Sequence, residues 1–302
     1  MDSPSAPCDH DLVALSSISR DTLQRVVGEA VRSRVVGPNA DEKHRAIFEA
    51  EGERLFGEDR PVRIIHADTS MFVGGLRAIL LQSLHPLAMA GVAQHSDYRS
   101  DPWGRLQRTA DFLASTTFGP AHLAERNIAM VNTVHERVAG TASDGRPYSA
   151  RDPHLLKWVH IAEVDSFITA HRRFGTERLD ERDYDAYVDD MSVIATKLGV
   201  IDPPRTLAEL HRALDDYRPE LGTSAEARDA ARYLLLTPPL PVYARPFYGV
   251  IAATAVSLMP LWTRIPLRLP WMPVTEATTV RAAGYGLTRT LSWALGGTAP
   301  AR

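Results

Sequence analysis

From Gly74 to Gly140 the chain reads GGLRAILLQSLHPLAMAGVAQHSDYRSDPWGRLQRTADFLASTTFG and then PAHLAERNIAMVNTVHERVAG. Apolar residues recur here at helical intervals with almost no period-two alternation, so the stretch predicts consecutive helices. Gly74 to Gly91 is the most hydrophobic run of the chain, and Pro86 interrupts it. A proline there removes a donor and kinks the helix, freeing a carbonyl inside a buried segment; the kink serves either packing or room for a flat cofactor. The same stretch carries His85, His95, His122, His135, Arg105, Arg108 and Thr109, a high density of polar chemistry for a core.

Arg105, Arg108, Thr109, Phe112 and Thr116 follow one another at intervals of one, three and four and so fall on one face of the predicted helix. If that face is buried, two guanidiniums need an anionic partner; if it is not, they form a solvated basic stripe. Downstream, Ile128, Val131, Val134, His135 and Val138 keep helical spacing, with His135 the only imidazole on the stripe. Such a histidine is either a hydrogen-bonded core residue or a ligand.

Arg105-x-x-Arg108-Thr109, followed thirty residues after Arg105 by the V-x-x-V-H-x-x-V element around His135, resembles the catalytic domain of latex-clearing rubber oxygenases and of the fungal oxygenase that cleaves a prenyl side chain in mycophenolic acid biosynthesis. A set of actinobacterial proteins is more similar still, through GGLRAILLQSLHPLAMAGVAQHS, DPWGRLQRTADFLASTTFG, DGRPYSARDP and LLKWVHIAEVDSF. The resemblance covers roughly residues 60 to 265. It implies an all-α fold enclosing a haem-type pocket, with haem b as cofactor and O2 as co-substrate. Carried across by motif, His135 is the proximal iron ligand and the metal-binding residue, while Arg105, Arg108 and Thr109 occupy the catalytic positions on the distal side. Arg108 stands where the rubber-cleaving enzymes have lysine, and a guanidinium never deprotonates to ligate iron as an amine can. The acidic residue proposed as a base in those enzymes has no convincing counterpart in this sequence.

Composition sets outer limits. The 302 residues are 44% hydrophobic and 24% charged, ordinary for a globular chain able to bury a sizeable core. A net charge of −3 without a basic run argues against nucleic acid as a partner. The single cysteine, Cys8, cannot close an internal disulfide, which fits a reducing cytoplasm. Residues 1 to 20 carry Asp2, Asp9 and Asp11 and no apolar run, so no export signal is expected. The expected location is cytoplasmic, and rubber, an extracellular polymer, is not the expected substrate.

The expected organisation is a tail over 1 to 20, a helical oxygenase-like domain of about ten helices over 21 to 271, and a C-terminal helix and tail over 272 to 302. Asp21 and either Asn39 or Asp41 are candidate N-caps, and Gly57 a candidate stop. Val62 to Ile65 is the only candidate strand. Asp144-Gly145-Arg146-Pro147 predicts a turn, leading into a helix from His154 to Phe174. There Leu156, His160, Glu163, Val164 and Phe167 share a side, making His160 a second imidazole on an apolar face and the reserve iron ligand. With His135 as ligand, His160 lines the pocket or bonds Glu163. Asp183, Asp185, Asp189 and Asp190 wrap around the next helix rather than converge as a metal site would.

Pro246 to Trp262 is nearly uncharged but holds Pro260, and its seventeen residues fall short of the about 20 a membrane span needs. It predicts either a core helix or, with Trp262, Trp271, Arg264 and Arg268 beside it, a peripheral contact with the inner membrane face. Nucleotide-binding, GxSxG and HExxH signatures are absent from the sequence. Three functions remain: a haem-dependent oxygenase acting on a hydrophobic, isoprenoid- or lipid-like molecule; a non-catalytic haem- or lipid-binding protein; and a non-haem metalloenzyme built on His160 and Glu163. The last is disfavoured, because di-iron bundles use two Glu-x-x-His pairs and this chain has one pair in reverse order.

Overall fold

The computed structural model describes residues 20–96 and 98–296, without the side chain of Leu23. The expected tail and Cys8 lie outside the described residues, apart from Arg20. In chain order the helices are α1 (Arg20–Val35), α2 (Ala40–His44), α3 (Pro61–Ala67), α4 (Met71–Gln82), α5 (Pro86–His95), α6 (Pro102–Phe118) and α7 (Ala121–His135). A hairpin of β1 (Ala139–Thr141) and β2 (Pro147–Ser149) follows. Then come α8 (Pro153–Phe174), α9 (Glu181–Lys197), α10 (Leu207–Tyr217), α11 (Ala225–Leu236), α12 (Arg245–Ser257), α13 (Leu261–Leu267), α14 (Pro273–Thr275) and α15 (Arg281–Ala294). The chain is a single all-α domain, with eleven helices of ten residues or more among those described.

The core is built on α4 against α8. Val73, Leu80 and Leu81 of α4 and Ile161, Val164, Phe167 and Ile168 of α8 are buried together. A Cβ on Gly74 would lie 2.9 Å from Phe167 Cδ1 and 3.3 Å from Ala170 Cβ, so the two helices approach as closely as they do because position 74 has no side chain. Arg77, buried in this junction, pairs with Asp165 at 2.8 Å, donates to Ser166 Oγ at 2.7 Å and to the Leu258 carbonyl at 3.1 Å, tying α4 to α8 and to the end of α12. α9 packs on α8 and α3, α10 covers Trp158, and α12 lies between α4 and α15.

The break before Pro86 is where the sequence places it, and the carbonyls it frees are recaptured. His85 is extended, Trp158 Nε1 donates to Gln82 O at 3.0 Å, and Gly222 N donates to Leu84 O at 2.9 Å. α8, α10 and α11 begin at side-chain caps on Asp152, Thr206 and Ser224, and α9 at a capping box of Asp180 and Asp183. The four aspartates go separate ways: Asp183 into that box, Asp185 to Leu207 N, Asp189 to Arg205 and Asp190 to Arg60.

Several local expectations are corrected. Val62 to Ile65 is not a strand but part of α3: Pro61 opens the helix, and Val62 and Ile65, one turn apart, are both fully buried. The observed strands flank the Asp144–Pro147 turn instead, with Gly140 opposite Tyr148. The second N-terminal helix ends in a π-helical turn, Arg45–Glu49, with Ala50 extended, so it stops before Gly57. Asn39 occupies the N-cap position in a left-handed conformation without a side-chain cap bond, and Asp21 lies inside the first turn of α1. Arg264 is no interfacial residue: it is buried and bonds the Met259 and Ser257 carbonyls and Glu276, each at 2.8 Å.

Candidate functional site

α6 and α7 form a helical hairpin turning at Gly119-Pro120, and Asn127 Nδ2 donates to Ser115 Oγ at 2.7 Å across it. From that pair, Arg105 lies about 15 Å back along α6 and His135 about 12 Å forward along α7 at 1.5 Å per residue, so the two stand within a turn of the same level. The long sequence separation between the two elements is thereby closed to one end of one hairpin. Among the described residues, however, no hydrogen bond or ring contact joins His135 to Arg105, Arg108, Thr109 or His160.

Arg105 is half-buried and donates to Ser96 Oγ at the end of α5. Burial, and secondarily the charge of Arg108, pushes its pKa below the ordinary arginine value. Arg108 is exposed and pairs with Asp101 at 3.2 Å, and the exposed Thr109 hydroxyl donates to the Arg105 carbonyl at 3.0 Å. The shared face thus divides: Arg105 and Phe112 turn inward and Arg108 is held at the helix start.

His135 closes α7, half-buried, and its Nδ1 is buried without a hydrogen-bond partner. Burial first, then the charge of Arg151, lowers its pKa, so the ring is neutral at pH 7. The apolar stripe around it loses cover toward its C-terminal end. Ile128 is buried, whereas Met130 and Val134 are 59% and 55% exposed, and Leu106 on α6 is 40% exposed.

On α8, His160, Glu163 and Phe167 share a face as the spacing predicts. His160 is buried, its Nε2 has no partner, and burial lowers its pKa to about 4. No hydrogen bond joins His160 to Glu163 among the described residues. Burial instead raises the Glu163 carboxyl to about 7. The same face meets groups that the sequence reading missed. His66 of α3 packs edge-on against Phe167, with ring centroids 5.5 Å apart. Its Nδ1 lies 2.7 Å from Thr117 Oγ1 and its Nε2 3.0 Å from the Tyr187 hydroxyl. Burial lowers His66 to about 3, and burial with the nearby Glu163 carboxylate pushes Tyr187 well up. Arg63, one turn before His66, has a buried Nη1 without a partner and stacks over Phe118 at 5.3 Å. Reading 62 to 65 as a strand hid this pair, because only a helix puts residues 63 and 66 on one side.

The remaining histidines of the opening stretch disperse. His85 packs beside Trp158, His95 bonds the Tyr148 hydroxyl at 3.1 Å, and His122 is exposed.

Fold and chemistry together define an all-helical domain in which neutral imidazoles, a protonatable carboxyl and an arginine are held away from solvent, the kind of perturbed groups that mark functional sites. The family model described as the ER-bound oxygenase mpaB/B'/rubber oxygenase catalytic domain matches residues 62–293, and the chain belongs to that family. It is thus of an oxygenase kind, and the family implies a small-molecule substrate and O2. At the similarity required, no curated protein and no solved structure matches.

Haem b asks for a neutral imidazole with a free nitrogen, uncovered apolar surface and cations for its carboxylates. His135 with its unpartnered ring, the bared Met130, Val134 and Leu106, and Arg105 with Arg108 at the same end of the hairpin fit those needs.

Proposed function

We propose that the chain is a haem b-dependent oxygenase acting on a hydrophobic, isoprenoid- or lipid-like small molecule, with His135 as the axial ligand. The observation that carries the reading is His135 itself: a desolvated, neutral imidazole with a buried orphan nitrogen at the level of Arg105 on the paired helix. When bound, the haem supplies the iron on which O2 is activated. The chain's own part is placement and electrostatics. Arg105, already stripped of most of its water, forms stronger charge-assisted hydrogen bonds than a solvated guanidinium, to a haem carboxylate or to oxygen carrying negative charge. Arg108 reaches the same region by leaving Asp101, and Thr109 offers a hydroxyl one residue on. The exposed apolar side chains of α6 and α7 give a hydrophobic substrate its contact surface.

His160, with its unpartnered Nε2, is the alternative axial ligand and otherwise lines the pocket. One observation favours the non-catalytic reading, a haem- or lipid-binding protein: Arg108 is engaged by Asp101 on the exposed side of α6. Haemin titration of the two histidine variants tests the assignment. His135→Ala is expected to lose haem retention and His160→Ala only to perturb it. The reverse pattern transfers the axial role to His160.

A further inference from the structure

We propose that His85, His154 and Glu220 form a binding site for one divalent first-row cation, with zinc as the occupant, separate from the His135 and His160 region. One donor atom from each residue lies within 4.8 Å of the other two. His154 Nε2 is 2.8 Å from Glu220 Oε2, and His85 Nε2 is 3.6 Å from the same oxygen. Two donors on a tetrahedral zinc stand about 3.4 Å apart when each bond is about 2.1 Å. Small side-chain rotations, lengthening the 2.8 Å edge and shortening the 3.6 Å one, therefore bring the donors to the right spacing.

Two independent features point to an ion. His85 is 2% exposed, and neither of its ring nitrogens has a hydrogen-bond partner. An unsatisfied buried polar group costs about 1–3 kcal/mol, and the extended backbone before Pro86 fixes the ring beside Trp158 and Tyr217. The second feature is convergence. His154 Nε2 and His85 Nε2 both approach one Glu220 carboxylate oxygen, and Tyr217, whose hydroxyl lies 2.7 Å from the His154 carbonyl and 3.1 Å from His154 Nδ1, holds the His154 ring in place. A cation between the three residues gives the buried His85 ring a partner and offsets the carboxylate charge.

The surroundings fit. Tyr217, in hydrogen-bond reach of His154 Nδ1, is an outer-shell group of the kind that orients a metal-binding histidine. Arg146, the nearby positive charge, is paired with Asp144 at 2.7 Å. His154 and Glu220 are half-exposed, leaving the fourth coordination position open to water. Two imidazoles and a carboxylate also serve non-haem iron, but a common donor set binds Zn2+ more tightly than Fe2+.

The test is calorimetric titration of the full chain with Zn2+ after dialysis against EDTA, which leaves haem iron in place. The expected result is one Zn2+ per chain and a raised melting temperature. Tyr217→Phe is expected to keep the stoichiometry and weaken binding about 10-fold. Replacing the buried His85 risks unfolding, so Glu220→Gln, at a half-exposed position, carries the decision and is expected to weaken binding at least about 10-fold. Wild-type affinity no tighter than that of Glu220→Gln overturns the site. Displacement of the zinc by an equal concentration of Fe2+ under anaerobic conditions overturns the choice of ion.

Discussion

Burial holds the Glu163 carboxyl at about 7 against an ordinary 4.5, which gives the protein a definite response to pH. Below about pH 4.5 the carboxyl is protonated whether the chain is folded or not. As pH rises toward 7 the unfolded chain ionises while the folded one keeps its proton, so this contribution to stability is lost across that window, on the order of 2 kcal/mol for a partly accessible group. Glu163→Gln is therefore expected to raise the urea midpoint at pH 8 and leave it unchanged at pH 4.5; equal midpoints at pH 8 would mean that the carboxyl is ionised and solvated. His66 and His160 act in the opposite sense. Their folded values, about 3 and about 4, lie below the ordinary 6.5, so the stability they give as neutral rings is complete above 6.5 and is lost as pH falls toward 4. At this scale the sequence is informative about residue type and weak about partners. The spacing puts His160, Glu163 and Phe167 on one face, but nothing in it shows that His66, just over a hundred residues before Phe167, comes to rest against it.

At the scale of elements, a helix cap is a local bond between residues two or three apart, and Asp152, Asp180, Thr206 and Ser224 all supply one, whereas of the caps the sequence suggests Asp21 lies inside α1 and Asn39 makes no side-chain cap bond. The break at His85-Pro86 is equally local. Val62 to Ile65 reads as a strand because four residues are too few to separate a helical from an extended period, and only the fold supplies the helical context. The α4 to α8 junction rests on a tertiary fact no local rule gives, the missing side chain at 74. Gly74→Val is expected to destabilise the protein by about 1–3 kcal/mol through overpacking against Phe167, measured by chemical denaturation. A change below about 0.5 kcal/mol, the usual limit for surface substitutions, would show that α4 and α8 separate easily. The proposed haem site depends on the α6 and α7 hairpin, where sequence indicates the residues and only the hairpin register brings Arg105 and His135 level.

Across the whole molecule the apolar surface is uneven. No single helix among the described residues is long and apolar enough to cross a membrane; α3 and α4 pass by length and composition only as a pair bent by 95°, and both supply buried core residues. The uncharged run from Pro246 to Trp262 is divided: Ala252, Ala255 and Val256 of α12 are core, and the chain breaks before Pro260. Exposed apolar residues lie in it and beside it in sequence, Phe247 at 54%, Tyr243 at 82%, Val274 at 76% and Trp271 at 59%. Burying such side chains in a lipid interface is favourable by about 25 cal/mol per Å2, so partial flotation with liposomes, reversed by detergent and little affected by salt, is the expected outcome. A folded protein that stays wholly in solution with neutral and anionic vesicles would leave this surface without a membrane role. The central claim is the cofactor, and the visible absorption spectrum of the purified protein tests it most directly. The account predicts haem bands, either as isolated or after addition of haemin; a colourless protein that binds no added haemin would contradict it.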